Sequence, residues 1–438
     1  MPRKPPPAPI PQSRLERLAR IGMAAGELAV GAAAEGIRRL ARGEAAEFGT
    51  ALLSAPNARR LAARLARLRG AAMKIGQLVS LQGEDVLPPE FAQALSVLRS
   101  QASPMPPEQV RRVLGREYGK GWERRFAHFD WEPVAAASIG QVHRATAANG
   151  RDLALKIQYP GVARSIASDV DNVAVLLRLF NLLPLGIDVT GMAEEAKRQL
   201  AQEADYEAEG RFLERYAKLV AREPGLVVPR VHWDLTTARI MAMDYMAGEP
   251  LESLAAAPQA TRDAVGALLE RLLFRELFEF RVMQTDPNFA NYLWQPESGR
   301  IVLLDFGATK RFAPAFVENY RRITRAVIDG DRDEVAHGAI RIGYAAEGDS
   351  PERLAAVTDV IFLVCEPLRH RGRYDFPGSD LPARVRDLGY DLAFRQGLVR
   401  APPPETIFLH RKLVGNFLLL ARIGARVDAR SLVLECLD

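Results

Sequence analysis

The stretch QTDPNFANYLWQPESGRIVLLDFGATK, residues 284–310, sets a carboxylate at Asp286, a carboxamide five positions on at Asn291, and a second carboxylate at Asp305 at the end of an apolar run. Oxygen donors of these types suit Mg²⁺, a hard ion that takes a few carboxylate or carbonyl ligands and keeps several waters. Phosphoryl transfer needs such ligands, a carboxylate near the attacking hydroxyl or water, a lysine on the phosphates and a loop over the nucleotide. Each has a candidate. Asp286 is the carboxylate for the nucleophile, and Asn291 and Asp305 are the metal ligands. Lys156 lies in DLALKIQ, within a chain that has 59 basic residues but strongly prefers arginine. Its compact ammonium suits a point contact with phosphate oxygens, which the broad guanidinium fork does not.

Just ahead of that lysine, VAAASIGQVH puts Ala135, Ala136, Ala137 and Ser138 where a phosphate-covering loop would sit. Alanine keeps the backbone N–H donors but resists positive φ, so this loop should be stiffer than a glycine-rich one. The five-residue interval from Asp286 to Asn291 is that of the kinase pattern H-R-D-x-x-x-x-N, and Asp305-Phe306-Gly307 stands where the D-F-G triplet follows. Either feature alone is common at strand ends; their joint occurrence argues for a site. Gln284-Thr285 replaces the His-Arg of the pattern, which argues against ordinary protein phosphorylation.

The elements that must position these residues follow from periodicity and turn chemistry. Leu61, Leu65, Leu68, Ala72, Ile75 and Val79 recur at helical steps, so the N-terminal part reads as an all-α extension. Prolines in SPMPPEQV mark a helix start. The segment FDWEPVAAASIGQVHRATAANGRDLALKIQ alternates and carries an Asn149-Gly150 hairpin turn, which predicts two strands with Lys156 on the second. Val189 to Val220 reads as one long helix. Two further strands follow in LVVPRVHWDLTTARIMAMDYM, ending in a connector at Asp244 to Gly248, and helices dominate from Glu252 onward.

Composition sets outer limits. The 438 residues, 48% hydrophobic, can bury a substantial core. Two cysteines, Cys365 and Cys436, offer neither a disulfide framework nor a four-thiolate metal site. The proline-rich start MPRKPPPAPIPQSR reads as a disordered tail and not as an export signal. Residues 1–70 hold 13 Lys/Arg against 5 Asp/Glu, an arm that an anionic membrane surface would attract. No basic stripe interleaved with aromatics appears, so nucleic acid is not an expected partner.

The sequence resembles the UbiB-type, or aarF-domain, atypical kinase-like family that supports ubiquinone biosynthesis. The residues carrying the likeness are KIGQ at 74–77, AAASIGQVH at 135–143, ALKIQYPG around Lys156, EADYEAE at 203–209, QTDPNFAN at 284–291 and LLDFGAT at 303–309. QTDPN makes it similar to the Coq-type branch. The resemblance implies that Lys74 and Gln77 lie over the active site, that Glu203 and Asp205 form an acidic pair beside it, and that Glu209 partners Lys156. It also implies that the connector around Asp244 and Met246 takes the adenine. On one continuous helix, Asp205 and Glu209 share a face and Glu203 points away.

The fold expected is α+β and two-lobed, kinase-like, with an all-α N-terminal extension and a mostly helical C-lobe. The divisions are a tail at 1–20, an extension at 21–130, an N-lobe at 131–247 and a C-lobe at 248–438. The activity expected is that of a kinase-like ATPase taking ATP or ADP with Mg²⁺ and acting at a membrane on a quinone precursor, a lipid-associated acceptor or water. The expected location is cytoplasmic, peripheral on the inner membrane face, with a homodimer or a biosynthetic complex as assembly. A nucleotide-switched scaffold without catalysis is the alternative; a small-molecule kinase of the choline or aminoglycoside type would leave KIGQ unexplained.

Overall fold

The computed structural model describes residues 104–179, 189–392 and 403–437. The proline-rich tail, the basic arm and the segment with Lys74 and Gln77 lie outside the described residues. The chain forms two compact units: one runs to Arg211 and takes in Arg230–Tyr245, and the other comprises Phe212–Pro229 and everything from Met246.

The first unit opens with α1 (Pro107–Tyr118), whose first position is a proline already fixed at helical φ and which ends at Gly119 with φ 84°. Strands β1 (Phe126–Phe129), β2 (Ala135–Ala136), β3 (Gly140–Ala147) and β4 (Asp152–Gln158) follow. The β3–β4 hairpin turns through Gly150 at φ 85°, as the Asn149-Gly150 signal predicts. Leu153, Leu155 and Ile157 of β4 face a core shared with Val110, Leu114, Trp122 and Phe126, so Ala154 and Lys156 occupy the other face. Gly140 is required where β3 approaches β4: a Cβ there would lie 2.4 Å from the Ile157 carbonyl oxygen and 2.7 Å from the Tyr206 hydroxyl.

Helix α2 (Val162–Leu179) follows β4. Val189 to Val220 is not one helix: α3 (Val189–Glu203) stops and, after two intervening residues, α4 (Tyr206–Leu219) starts. Asp205 causes the break. Its carboxylate accepts the Ala208 N–H at 2.8 Å, the capping bond that satisfies an orphan donor of the new helix. Gln158 Nε2 donates to the Ala204 carbonyl at 2.7 Å and pins this joint to the end of β4.

The two strands read in LVVPRVHWDLTTARIMAMDYM are present, but in different sheets. β5 (Leu226–Val227) lies in the second unit, and β6 (Ile240–Asp244) pairs antiparallel with β4 in the first. The second unit holds the sheet β5-β10-β9-β7, made with β7 (Glu249–Pro250), β9 (Tyr292–Gln295) and β10 (Arg300–Leu303). A separate pair joins β8 (Val282–Gln284) to β11 (Thr309–Arg311). Helix α5 (Gln259–Phe278) buries residues on all sides, as a helix at a domain centre does. Against it pack α6 (Pro314–Asp329), α10 (Pro404–Ile423) and α11 (Ala429–Leu437), and α7 (Arg332–Ile342), α8 (Pro351–Val364) and α9 (Leu381–Tyr390) pack in succession from α6.

One buried group between α5 and α10 makes stability depend on pH. Burial pushes the Glu270 carboxyl up to about 8, against the opposing bond from the Asn416 amide. The folded state therefore keeps a proton that the unfolded chain sheds near the ordinary carboxylate range, and stability falls as pH rises through the interval between them. Glu270→Gln is expected to stabilise the protein by an amount that is absent below about pH 4.5, grows up to about pH 8 and then levels off. Denaturation midpoints of both proteins across that range check this; a pH-independent difference would contradict it.

Candidate functional site

In the first unit, the alternation of β4 puts Lys156 on the face away from the apolar core, yet the residue is only 8% exposed. Its Nζ donates to Glu209 Oε1 at 2.6 Å, and the Tyr206 ring lies 5.2 Å away. Glu209 is 2% exposed. A charge-assisted bond at this depth fixes the ammonium closely, because either charge left alone there would be strongly disfavoured.

The helix break redistributes the acidic residues read from the sequence. Glu203, as the last residue of α3, accepts the Ser138 hydroxyl and so holds the end of the alanine loop. Asp205 turns its carboxylate to its own helix as a cap, and the Glu209 N–H bonds the Asp205 carbonyl one turn on at 3.0 Å. Ala135 and Ala136 form the short, exposed β2 against β3, and the Ala137 N–H bonds the Gly140 carbonyl at 2.9 Å. The Asp244 carboxylate accepts from the Arg230 N–H at 3.1 Å and lies 2.7 Å from His232 Nε2, so its side chain is engaged within the first unit. Met246 is two residues on, at the start of the second unit.

In the second unit, strand register brings three candidates together. Tyr292 pairs with Leu303 across β9 and β10, and the Leu304 N–H continues the ladder to the Asn291 carbonyl at 2.9 Å. Asn291 and Asp305 therefore leave the same end of one hairpin. The Asn291 Nδ2 donates towards Asp286, to its carbonyl at 3.2 Å and its Oδ2 at 3.4 Å. With the NH₂ committed there, Oδ1 is the atom that remains for a hard cation. Asp305 Oδ1 accepts the Gly307 N–H at 2.9 Å, which orients the second carboxylate. Both donors are oxygens, the chemistry Mg²⁺ prefers; no group of three His, Cys, Asp or Glu residues suited to a metal occurs among the described residues.

Sequence reasoning missed what holds this loop. Phe306 is 1% exposed and packs on Tyr216 at 4.4 Å between centroids, and the Tyr216 hydroxyl donates to Glu276 Oε1 at 2.8 Å. Thr285, read only as a departure from His-Arg, bonds the Ala308 carbonyl through its hydroxyl at 2.7 Å and its N–H at 3.1 Å. Lys412 Nζ meets the Tyr292 hydroxyl at 3.0 Å and Glu276 Oε2 at 3.4 Å, and these neighbours keep the lysine protonated against its burial. These partners lie too far along the chain for local spacing to have found them.

Removal of the Lys156 ammonium leaves the Glu209 carboxylate buried without it. Lys156→Met is expected to cost about 3–5 kcal/mol of stability, and the double variant with Glu209→Gln to recover most of it. Urea unfolding of the wild type, both single variants and the double variant measures this; a Lys156→Met protein as stable as the wild type would contradict the coupling.

Comparison with known proteins gives the family. Residues 97–339 match the ABC1 atypical kinase-like domain. The chain is 38% identical to the rat (Rattus norvegicus) protein named atypical kinase COQ8B, mitochondrial, over 97% of its own length and 80% of the relative's. It is 37% identical to atypical kinase COQ8, mitochondrial, of Saccharomyces cerevisiae, covering 97% of the chain and 85% of the yeast protein. Among solved structures it is similar to Rv3197 of Mycobacterium tuberculosis, determined with erythromycin, at a TM-score of 0.61 and 26% identity over 85% of this chain and 93% of that one. An α+β fold with this hairpin site, matched over more than half its length by that domain, belongs to the ABC1 atypical kinase-like family.

Proposed function

We propose that the protein binds Mg-nucleotide and acts as an ATP-dependent atypical kinase or ATPase in support of ubiquinone biosynthesis at a membrane. The observation that carries this reading is the grouping of Asp286, Asn291 and Asp305 at one end of the β9–β10 hairpin. The buried Lys156–Glu209 pair and the atypical-kinase relatives support it.

Each residue then has a task set by its chemistry. Lys156 contacts phosphate oxygens, held in place by Glu209. Asn291 and Asp305 present oxygens to the metal, which when bound neutralises charge on the phosphates. Asp286 orients the attacking hydroxyl or water and accepts its proton. The alanine loop, with Ser138 tied to Glu203, covers the nucleotide. The connector at Asp244 and Met246 receives the adenine. Lys74 and Gln77, outside the described residues, guard the site, and the basic N-terminal arm draws the protein to an anionic membrane. Among the described residues no helix is long and apolar enough to cross one.

A thermal shift that requires both ATP or ADP and Mg²⁺ is the expected result for purified protein. Asp305→Asn should abolish it, while Asp286→Asn should keep binding and lower turnover by about 100-fold. Absence of any Mg-dependent nucleotide shift would overturn the reading. Binding with turnover unaffected by Asp286→Asn would remove Asp286 from the chemistry.

A further inference from the structure

Asp286 is flanked on both sides by contacts from one helix that is remote in sequence. Arg411 of α10 is 6% exposed; its Nε donates to the Thr285 carbonyl at 2.7 Å and a terminal nitrogen to the Thr285 hydroxyl at 3.3 Å. One turn further along α10, Gly415 lies so close to Pro287 that a Cβ would fall 2.0 Å from the proline Cβ. Between them Lys412 reaches Gln284 Oε1 at 3.5 Å and the Tyr292 hydroxyl at 3.0 Å. Thr285 in turn bonds the carbonyl of Ala308, the residue after Asp305-Phe306-Gly307.

We propose that Arg411 is a positioning residue that sets Asp286 and the Asp305 turn relative to one another through Thr285, the task left open where Gln284-Thr285 replaces His-Arg. The carbonyl it holds belongs to the peptide that enters Asp286, so the direction of that peptide plane decides where the carboxylate points. A guanidinium can place two donors on one residue; a lysine ammonium on its flexible stem cannot reproduce that fork. The steric seat of Pro287 on Gly415 fixes the other side of Asp286, which leaves the loop one conformation. Loss of one charge-assisted bond is worth about a tenfold change in a local opening equilibrium.

This inference rests on the roles given above to Asp286 and Asp305, so its test includes a readout that needs no nucleotide. Hydrogen exchange of the full chain is compared for the wild type, Arg411→Lys, Thr285→Val and, as a control on the exposed face of α10, Arg422→Lys. Arg411→Lys is expected to speed exchange about tenfold in 285–291 and 305–309 and to leave α5 and α11 unchanged. With nucleotide, it should lower kcat while KM stays within about twofold of the wild type. If Arg411→Lys does not fold, Thr285→Val carries the same expectation. Unchanged exchange in those segments, or a uniform rise throughout the unit, would overturn the proposal. A wild type that binds no Mg-nucleotide would instead overturn the proposed function, and the exchange comparison would still decide whether Arg411 positions the loop.

Discussion

An ammonium and a carboxylate 2.6 Å apart in the interior, Lys156 and Glu209, are the constraint around which the polar residues of the first unit are arranged. Burial removes water from both charges, and in that setting each is stable only with the other in place. The pair thus fixes where a cation can stand on β4. The strand supplies the position by alternation and α4 supplies the counter-charge. The start of α4 depends on Asp205, whose cap breaks what would otherwise be continuous helix and puts Glu203 at a helix end, where it meets Ser138. A single cap therefore sorts three acidic residues into distinct tasks.

The hairpin end that carries Asn291 and Asp305 depends on a different physical device. Strand register is quantised, so pairing Tyr292 with Leu303 forces Asn291 and Asp305 to leave the sheet together. Phe306 then sinks against Tyr216, and Thr285 ties the entering strand to the exit of the turn. The loop carrying Asp286 is short, and α10 bounds it through Arg411, Lys412 and Gly415. Buried polar groups in such numbers rigidify a site when their bonds are satisfied.

Local signals made much of this readable from sequence. The Asn149-Gly150 turn, the alternation of DLALKIQ and the apolar run before Asp305 each announce themselves within a few residues, and the elements stand where those signals put them. Two things escaped. The helical periodicity of Val189 to Val220 hides a break, because an aspartate is tolerated on a helix face and its capping role shows only when the chain turns. Sheet partnership is the other: β5 and β6 read alike, yet one pairs with β10 and the other with β4, a choice made by residues far away. Arg411 is 126 positions from Thr285, beyond any spacing rule. Glu203 and Asp205 illustrate the middle case: the resemblance drew attention to them, but the assumption of one helix hid the break between α3 and α4.

In the proposed function, Asn291 and Asp305 would hold a nucleotide-bound metal and Lys156 would meet the phosphates. A crystal structure of the protein grown with Mg²⁺ and a non-hydrolysable ATP analogue tests it most directly. The expected result is Mg²⁺ coordinated by the Asn291 Oδ1 and the Asp305 carboxylate, with the Lys156 ammonium on a phosphate oxygen. Nucleotide and metal bound with none of these three side chains in contact would contradict it.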